Sequence, residues 1–220
     1  MIIEFLFIII MLYFYFLLYI DNKINKNNDF YFIDTVSNRK INNEIYLKMP
    51  FYFSAKHLNK KIELDKFNII ENNKNYNKYN KTYEKIHLIE PYINYTVTNN
   101  IVELKPSKNY IIHENYESIN YYFVKEGNVK ISLIHPMFKD NFYINNNILN
   151  NKKIINYIKN NNNFRVLGCK KDTMIYVPNK WIVYIENLDK NDNSIIEIIN
   201  YKTIINKLMS YTEKYLIKNN

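Results

Sequence analysis

Residues 120–136 read NYYFVKEGNVKISLIHP. Two apolar, β-branched and aromatic runs flank a Lys-Glu-Gly-Asn junction, which is the pattern of two strands joined by a tight connection. Gly127 supplies the positive φ that such a connection needs, and it is one of only 2 Gly in the chain. After it, Val129, Ile131 and Leu133 alternate with Lys130, Ser132 and Ile134, the period of a half-buried strand. The spacing predicts a β-hairpin here.

Similar runs recur along the body of the chain: Glu44–Leu47, Phe51–Ser54, Asn94–Leu104, Tyr110–His113, Phe164–Leu167, Thr173–Val177, Trp181–Ile185 and Ser194–Tyr201. Their spacing is that of a sandwich or barrel. Near the end the period changes. Ile204/Ile205, Leu208/Met209 and Tyr215/Leu216 repeat at helical spacing, so residues 203–217 read as an amphipathic helix, with a second helix over Ile148–Ile158. The class is mainly β, a barrel with flanking helices, occupying residues 41–220.

The N-terminus is different. Phe5–Ile20, FLFIIIMLYFYFLLYI, has no charge, and residues 1–20 are interrupted only by Glu4. About 20 helical residues cross a hydrocarbon core of roughly 30 Å. No basic stretch precedes the run and no small-residue cleavage site follows it, so a transmembrane anchor is favoured over a cleaved signal. A buried core helix or strand pair is the other reading. Residues 21–40 read as a polar tether. Lys23, Lys26, Arg39 and Lys40 follow the run and none precede it, so the expected topology is single-pass with a cytosolic C-terminal domain.

Composition excludes several classes. The 220 residues hold 1 Cys, 4 His and 2 Gly, which leaves no disulfide framework, no Cys-based zinc site and no Gly-rich phosphate loop. About 40 Asn and 37 Ile, with 22 Tyr, point to an AT-rich genome, such as that of a giant virus. The same bias supplies lysines, so the net charge of +9 says little about nucleic acid. Lys60-Lys61, Lys152-Lys153 and Lys170-Lys171 stay pairs, with no longer basic run, so nucleic acid is not an expected partner. An anionic membrane leaflet suits the charge better. A protein partner is expected, of a kind the residues do not name.

Two segments carry a family resemblance. Asn120–Pro136 resembles the stretch of JmjC-like cupin hydroxylases in which an Asn opens a strand, a Gly turns it and the return strand ends near a Pro. Asp172–Ile185, DTMIYVPNKWIVYI, is similar to that family's Tyr-Ile-Pro-x-x-Trp segment, with Tyr176, Val177, Pro178 and Trp181 at the family spacing. The resemblance implies a cupin-like jelly roll, also called a double-stranded β-helix, and Fe(II)- and 2-oxoglutarate-dependent hydroxylation. It further implies a His-x-Asp pair and a distal His on the iron, the facial triad that leaves open positions for oxygen and cosubstrate. In this chain those positions fall on Glu114, Tyr116 and Val183, and the cosubstrate lysine falls on Val129. A one-residue bulge would bring in His113, Glu114 and Asn115, and would slip Lys130 into the cosubstrate place. Nothing supplies the third ligand, because no His follows His135.

The remaining candidates read as structural. His135 is a turn residue rather than a ligand, and His57 and His87 lie in polar stretches. Cys169 reads as a small buried hydrophobe, Trp181 as a core closer, and Glu114 with Glu117 as a solvated rim. The leading expectation is a membrane-anchored, degenerate cupin-like protein without metal or cofactor, acting as a binding or scaffolding module. The alternatives are an Fe(II)/2-oxoglutarate hydroxylase with a shifted ligand set and a structural membrane protein.

Overall fold

The computed structural model describes residues 2–33, 44–56, 59–61, 68–71, 74–76, 84–86, 95–106, 109–112, 117–144, 148–149, 151–160, 164–204 and 206. The N-terminal half holds α1 (Ile2–Asn22), β1 (Tyr31–Phe32), β2 (Phe51–Ser54), β3 (Asn59–Lys61), β4 (Asn68–Glu71), β5 (Lys74–Tyr76), β6 (Glu84–Ile86), β7 (Tyr95–Leu104) and β8 (Asn109–Ile112). It is followed by β9 (Ile119–Glu126), β10 (Asn128–Ile134), a 3-10 stretch (Pro136–Phe142), β11 (Tyr143–Ile144), β12 (Ile148–Leu149), α2 (Asn151–Asn160), β13 (Arg165–Lys170), β14 (Thr173–Val177), β15 (Ile182–Asn187) and β16 (Ser194–Thr203).

Eight of these strands define the architecture. The larger sheet runs β1-β2-β14-β9-β16-β7-β4-β5, and the smaller runs β13-β10-β15-β8. Counting β7, β8, β9, β10, β13, β14, β15 and β16 in chain order, the outermost pair in sequence is joined (β7 with β16). So are β8 with β15, β9 with β14 and β10 with β13, each antiparallel. That nesting of antiparallel pairs, shared between two sheets, is the double Greek key of a jelly roll. The body of the chain is a jelly roll.

The expected hairpin at Gly127 is corrected by this pairing. β9 bonds to β14 and β16, while β10 bonds to β13 and β15, so the two strands lie in different sheets. Gly127 is the corner between sheets, not a hairpin turn. Its φ is 80°, and a Cβ there would meet Ser194 Oγ at 2.3 Å, so both conformation and space demand glycine. Glu44–Leu47, expected as a strand, opens with a helical turn at 44–46. The helix expected over Ile148–Ile158 starts later, after β12. Of the helix expected over 203–217, the described residues hold only the start, where Ile204 and Asn206 are helical. Thr203 Oγ1 accepts the Asn206 N–H at 3.2 Å while Asn206 Oδ1 accepts the Thr203 N–H at 3.3 Å, a reciprocal capping box. Its remainder, 207–217, lies outside the described residues.

Along β9, β14 and β15 both faces are covered, which is why these strands are buried almost continuously rather than in alternation. Between the sheets sits an apolar core that includes Tyr122, Val124, Val129, Ile131, Leu133, Cys169, Ile175, Val177, Trp181, Val183, Ile196 and Ile198. The outer face of the larger sheet carries an aromatic layer, Phe51, Phe53, Tyr121, Phe123, Tyr176 and Tyr201, with Ile33 and Ile45 packed on it. The outer face of the smaller sheet packs Ile134, Ile182 and Tyr184 against Phe142 and against Ile154 and Ile158 of α2.

The segment expected as a tether departs from that reading within the described residues. Tyr31 and Phe32 pair in parallel with Phe51 and Tyr52, the Ile33 N–H donates to the Tyr52 carbonyl at 3.0 Å, and the Ile33 side chain is buried. Three apolar or aromatic side chains in a row make this stretch strand-like despite its Asn-rich surroundings. Residues 34–40 lie outside the described ones.

The N-terminal run is helical from Ile2 to Asn22. Among the described residues no helix is long and apolar enough to cross a membrane. The unbroken stretch of described side chains, Glu4–Phe16, is 13 residues, about 20 Å of helix. From Phe5 to Phe16 every side chain is 44–69 % exposed.

Candidate functional site

In the family that the two motifs resemble, chemistry happens inside the barrel, so the inward-facing residues decide. The junction Pro178–Trp181 joins the end of β14 to the start of β15. It therefore places Val177, Asn120, Val183, Leu133 and Ile112 at one end of the barrel, through the pairings Val177↔Asn120, Leu133↔Val183 and Val183↔Ile112.

Val183, at the distal-ligand position, is fully buried in the inter-sheet core. A valine offers no lone pair, and burying it is worth roughly 1.5–3 kcal/mol, so this position serves packing. Lys130 does not reach the cosubstrate place. Val129, Ile131 and Leu133 point into the core, so Lys130 points outward. There its Nζ lies 3.7 Å from Glu186 Oε2, with both side chains more than a third exposed. His113, Glu114, Asn115 and Tyr116 lie outside the described residues, as do His57 and His87. Among the described residues no group of three or more His, Cys, Asp or Glu side chains could hold a metal. At the third-ligand place the described residue is a valine within the apolar core.

His135, read as a turn residue, is buried and committed. The Met137 N–H donates to Nδ1 at 3.1 Å, which leaves the ring proton on Nε2. Nε2 then donates to the Asn25 carbonyl at 2.6 Å. The ring stands edge-on to Trp181 at 4.9 Å. Both nitrogens are used, so His135 is a fastener between the barrel end and the segment after α1. Trp181 is buried and closes the core at this end. Asn120 is fully buried, and its Nδ2 donates to the Glu117 and Val177 carbonyls at 3.1 and 3.2 Å. The Asn at the motif's start thus ties β9 to β14 through its Nδ2.

Cys169 is buried in the same core, and burial pushes its thiol up to about 12. A thiol of that kind is not a nucleophile. Tyr184, on the opposite face of the smaller sheet, is also pushed up to about 12, first by burial and then by the Glu186 carboxylate.

Three polar groupings carried no signal in the sequence. At the Gly127 end, Asn187 Nδ2 donates to the Leu104 and Asp192 carbonyls, each at 2.9 Å. Its Oδ1 accepts from Asp189 N–H at 2.9 Å and Ser194 Oγ at 2.7 Å. Beside it, Asp189 accepts from the Asn128 N–H at 2.8 Å and Asn128 Nδ2 at 2.9 Å, which holds its carboxyl below the ordinary value. On the outer face of the larger sheet, Lys125 Nζ meets Glu197 Oε2 at 2.7 Å, both side chains buried. Arg165 pairs with Asp29 and donates from Nε to the Asn28 carbonyl at 2.7 Å. In an Asn-rich chain nothing distinguishes Asn187 from surface asparagines, and ion pairs of such sequence separation have no local pattern.

No protein-family model matches the chain, and no curated protein sequence matches it. Several solved structures are similar in part. One is CENP-C of Drosophila melanogaster bound to CAL1, at 9% identity and TM-score 0.32, covering 46% of this chain and 59% of that one. Another is a point mutant of the oxalate decarboxylase of Bacillus subtilis, at 11% identity and TM-score 0.32, covering 49% of this chain and 22% of that one. A third is dTDP-4-dehydrorhamnose 3,5-epimerase from Elizabethkingia anophelis, at 9% identity and TM-score 0.30, covering 49% and 50%. The chain spans less than two thirds of each. The similarities are low, and the fold rests on the strand order itself.

Proposed function

We propose that this chain is a degenerate cupin-type jelly roll without metal chemistry, attached to a membrane by residues 1–20 and acting as a binding or scaffolding module. The observation that carries the reading is Val183: the distal-ligand position is an aliphatic side chain buried in the apolar core. With apolar side chains between the sheets, the outer surface is the place for a partner. Membrane attachment is supported by a helix that is apolar on every side, unlike the one-sided pattern of a helix packed on a soluble core. Lys23 and Lys26 directly after it favour a cytosolic barrel.

The test uses the full chain purified in mild detergent, loaded anaerobically with Fe(II) and desalted. The expected result is substoichiometric iron and no consumption of 2-oxoglutarate. Stoichiometric iron together with 2-oxoglutarate turnover would overturn the reading. Attachment is tested separately, by flotation of the full chain with phospholipid vesicles at high salt.

A further inference from the structure

The contacts around Asn25 say which end of the barrel meets the membrane. Asn25 lies three residues beyond the end of α1, at most about 10 Å of chain. It is bonded on two sides: Nδ2 donates to the Leu47 carbonyl at 2.8 Å, and its own carbonyl accepts from His135 Nε2 at 2.6 Å. His135 follows β10 and touches Trp181, so this is the Val183 end of the barrel. Farther along, Arg165 holds Asn28 and Asp29, and Ile33 is buried on the larger sheet. The barrel is therefore strapped to the foot of α1 rather than swinging on a tether.

Around that foot lie four exposed apolar or aromatic side chains. Ile24, Tyr46, Leu47 and Met137 are 41 %, 50 %, 50 % and 64 % exposed, and the bonds through Asn25 and His135 gather their backbones around one point. Lys23 and Lys26 are exposed beside them. Of the carboxylates whose side chains are described there, Glu44 is engaged by Tyr31 and Asp29 by Arg165. We propose that this collar seats the Val183 end of the barrel on an anionic phospholipid leaflet, with the four apolar side chains in the headgroup layer and the two lysines on lipid phosphates and carboxylates. The inference rests on the membrane reading of α1. Continuity decides the occupant: headgroup layers are roughly 5–8 Å deep, and a collar strapped within about 10 Å of the helix end lies at that level. Apolar tips flanked by lysines suit that layer.

The test reconstitutes the full chain in phosphatidylcholine/phosphatidylserine vesicles carrying a nitroxide at headgroup level. An environment-sensitive fluorophore is attached either at Met137→Cys or at Lys190→Cys, in the exposed 188–193 loop at the opposite barrel end. Cys169 is buried and leaves the label specific. The expected result is several-fold stronger quenching at position 137 than at 190. The double variant Lys23→Glu/Lys26→Glu should reduce quenching at 137 without releasing the chain from vesicles. Equal, weak quenching at both positions with the chain still vesicle-bound would overturn the seating and spare the anchor. Stronger quenching at 190 would overturn it as well. A chain that fails to float with vesicles would remove the anchor and the seating together.

Discussion

Replacing Gly127 with alanine isolates what holds the two sheets at their corner. The residue sits at φ 80°, where an L side chain costs about 1–2 kcal/mol. The new Cβ would lie 2.3 Å from Ser194 Oγ, 2.9 Å from Ser194 Cβ and 3.0 Å from Asp189 Oδ2, so Ser194 must move. Moving it breaks the 2.7 Å bond from Ser194 Oγ to Asn187 Oδ1, a loss of roughly 1–2 kcal/mol for a buried acceptor. The sum is about 3 kcal/mol, which for a chain of this size lowers Tm by about 10 °C. Gly168→Ala is the control. No atom lies within 4 Å of its added Cβ and its φ is not positive, so alanine there should stabilise by about 0.5 kcal/mol through the unfolded chain. Thermal denaturation of the full chain in detergent, followed by far-ultraviolet circular dichroism, reads both. The single variant Ser194→Ala separates the causes, since it loses the same hydrogen bond without the backbone strain. A Gly127→Ala protein melting within about 2 °C of the parent would refute the reasoning, as would equal losses at both glycines.

Three other outcomes follow from the geometry. Lys125→Met alone leaves Glu197 buried and uncompensated and should cost about 3–5 kcal/mol, whereas Lys125→Met/Glu197→Leu should recover most of it; chemical denaturation of the single and double variants checks the difference. Cys169 in the native chain at pH 8 should resist iodoacetamide and react only as fast as the protein unfolds, because burial holds its thiol near 12; rapid stoichiometric alkylation measured by mass spectrometry would contradict that placement. Asp189 has its carboxyl held below 3.8 by the Asn128 side chain and then its backbone N–H. Its contribution is therefore complete above that value and fades as pH falls through the lowered one, and Asp189→Asn should flatten this part of an acid-range stability profile.

The candidate site is partly legible in the residues alone. Spacing from Pro178 singles out Val183, and its aliphatic character already predicts the buried core position it holds. His135 reads as a turn residue because its partners, Asn25 and Trp181, are far away in sequence. The Asn187 and Asp189 networks and the Lys125–Glu197 pair are hidden for the same reason: composition saturated with Asn and Lys masks the few that are buried.

Local chemistry determined a good deal. Runs of β-branched and aromatic residues marked β7, β9, β10, β14, β15 and β16 within a residue or two. Gly127 marked the break between β9 and β10. These are properties of a residue and its near neighbours. Partner choice is not. A period of two says which side chains share a face but not which strand lies beside them, so a corner between sheets and a hairpin turn look alike in sequence. Only the tertiary structure placed β9 and β10 in opposite sheets, nested the strand pairs into a jelly roll and strapped residues 25–33 to its Val183 end, because those choices are made by burial between segments distant in the chain.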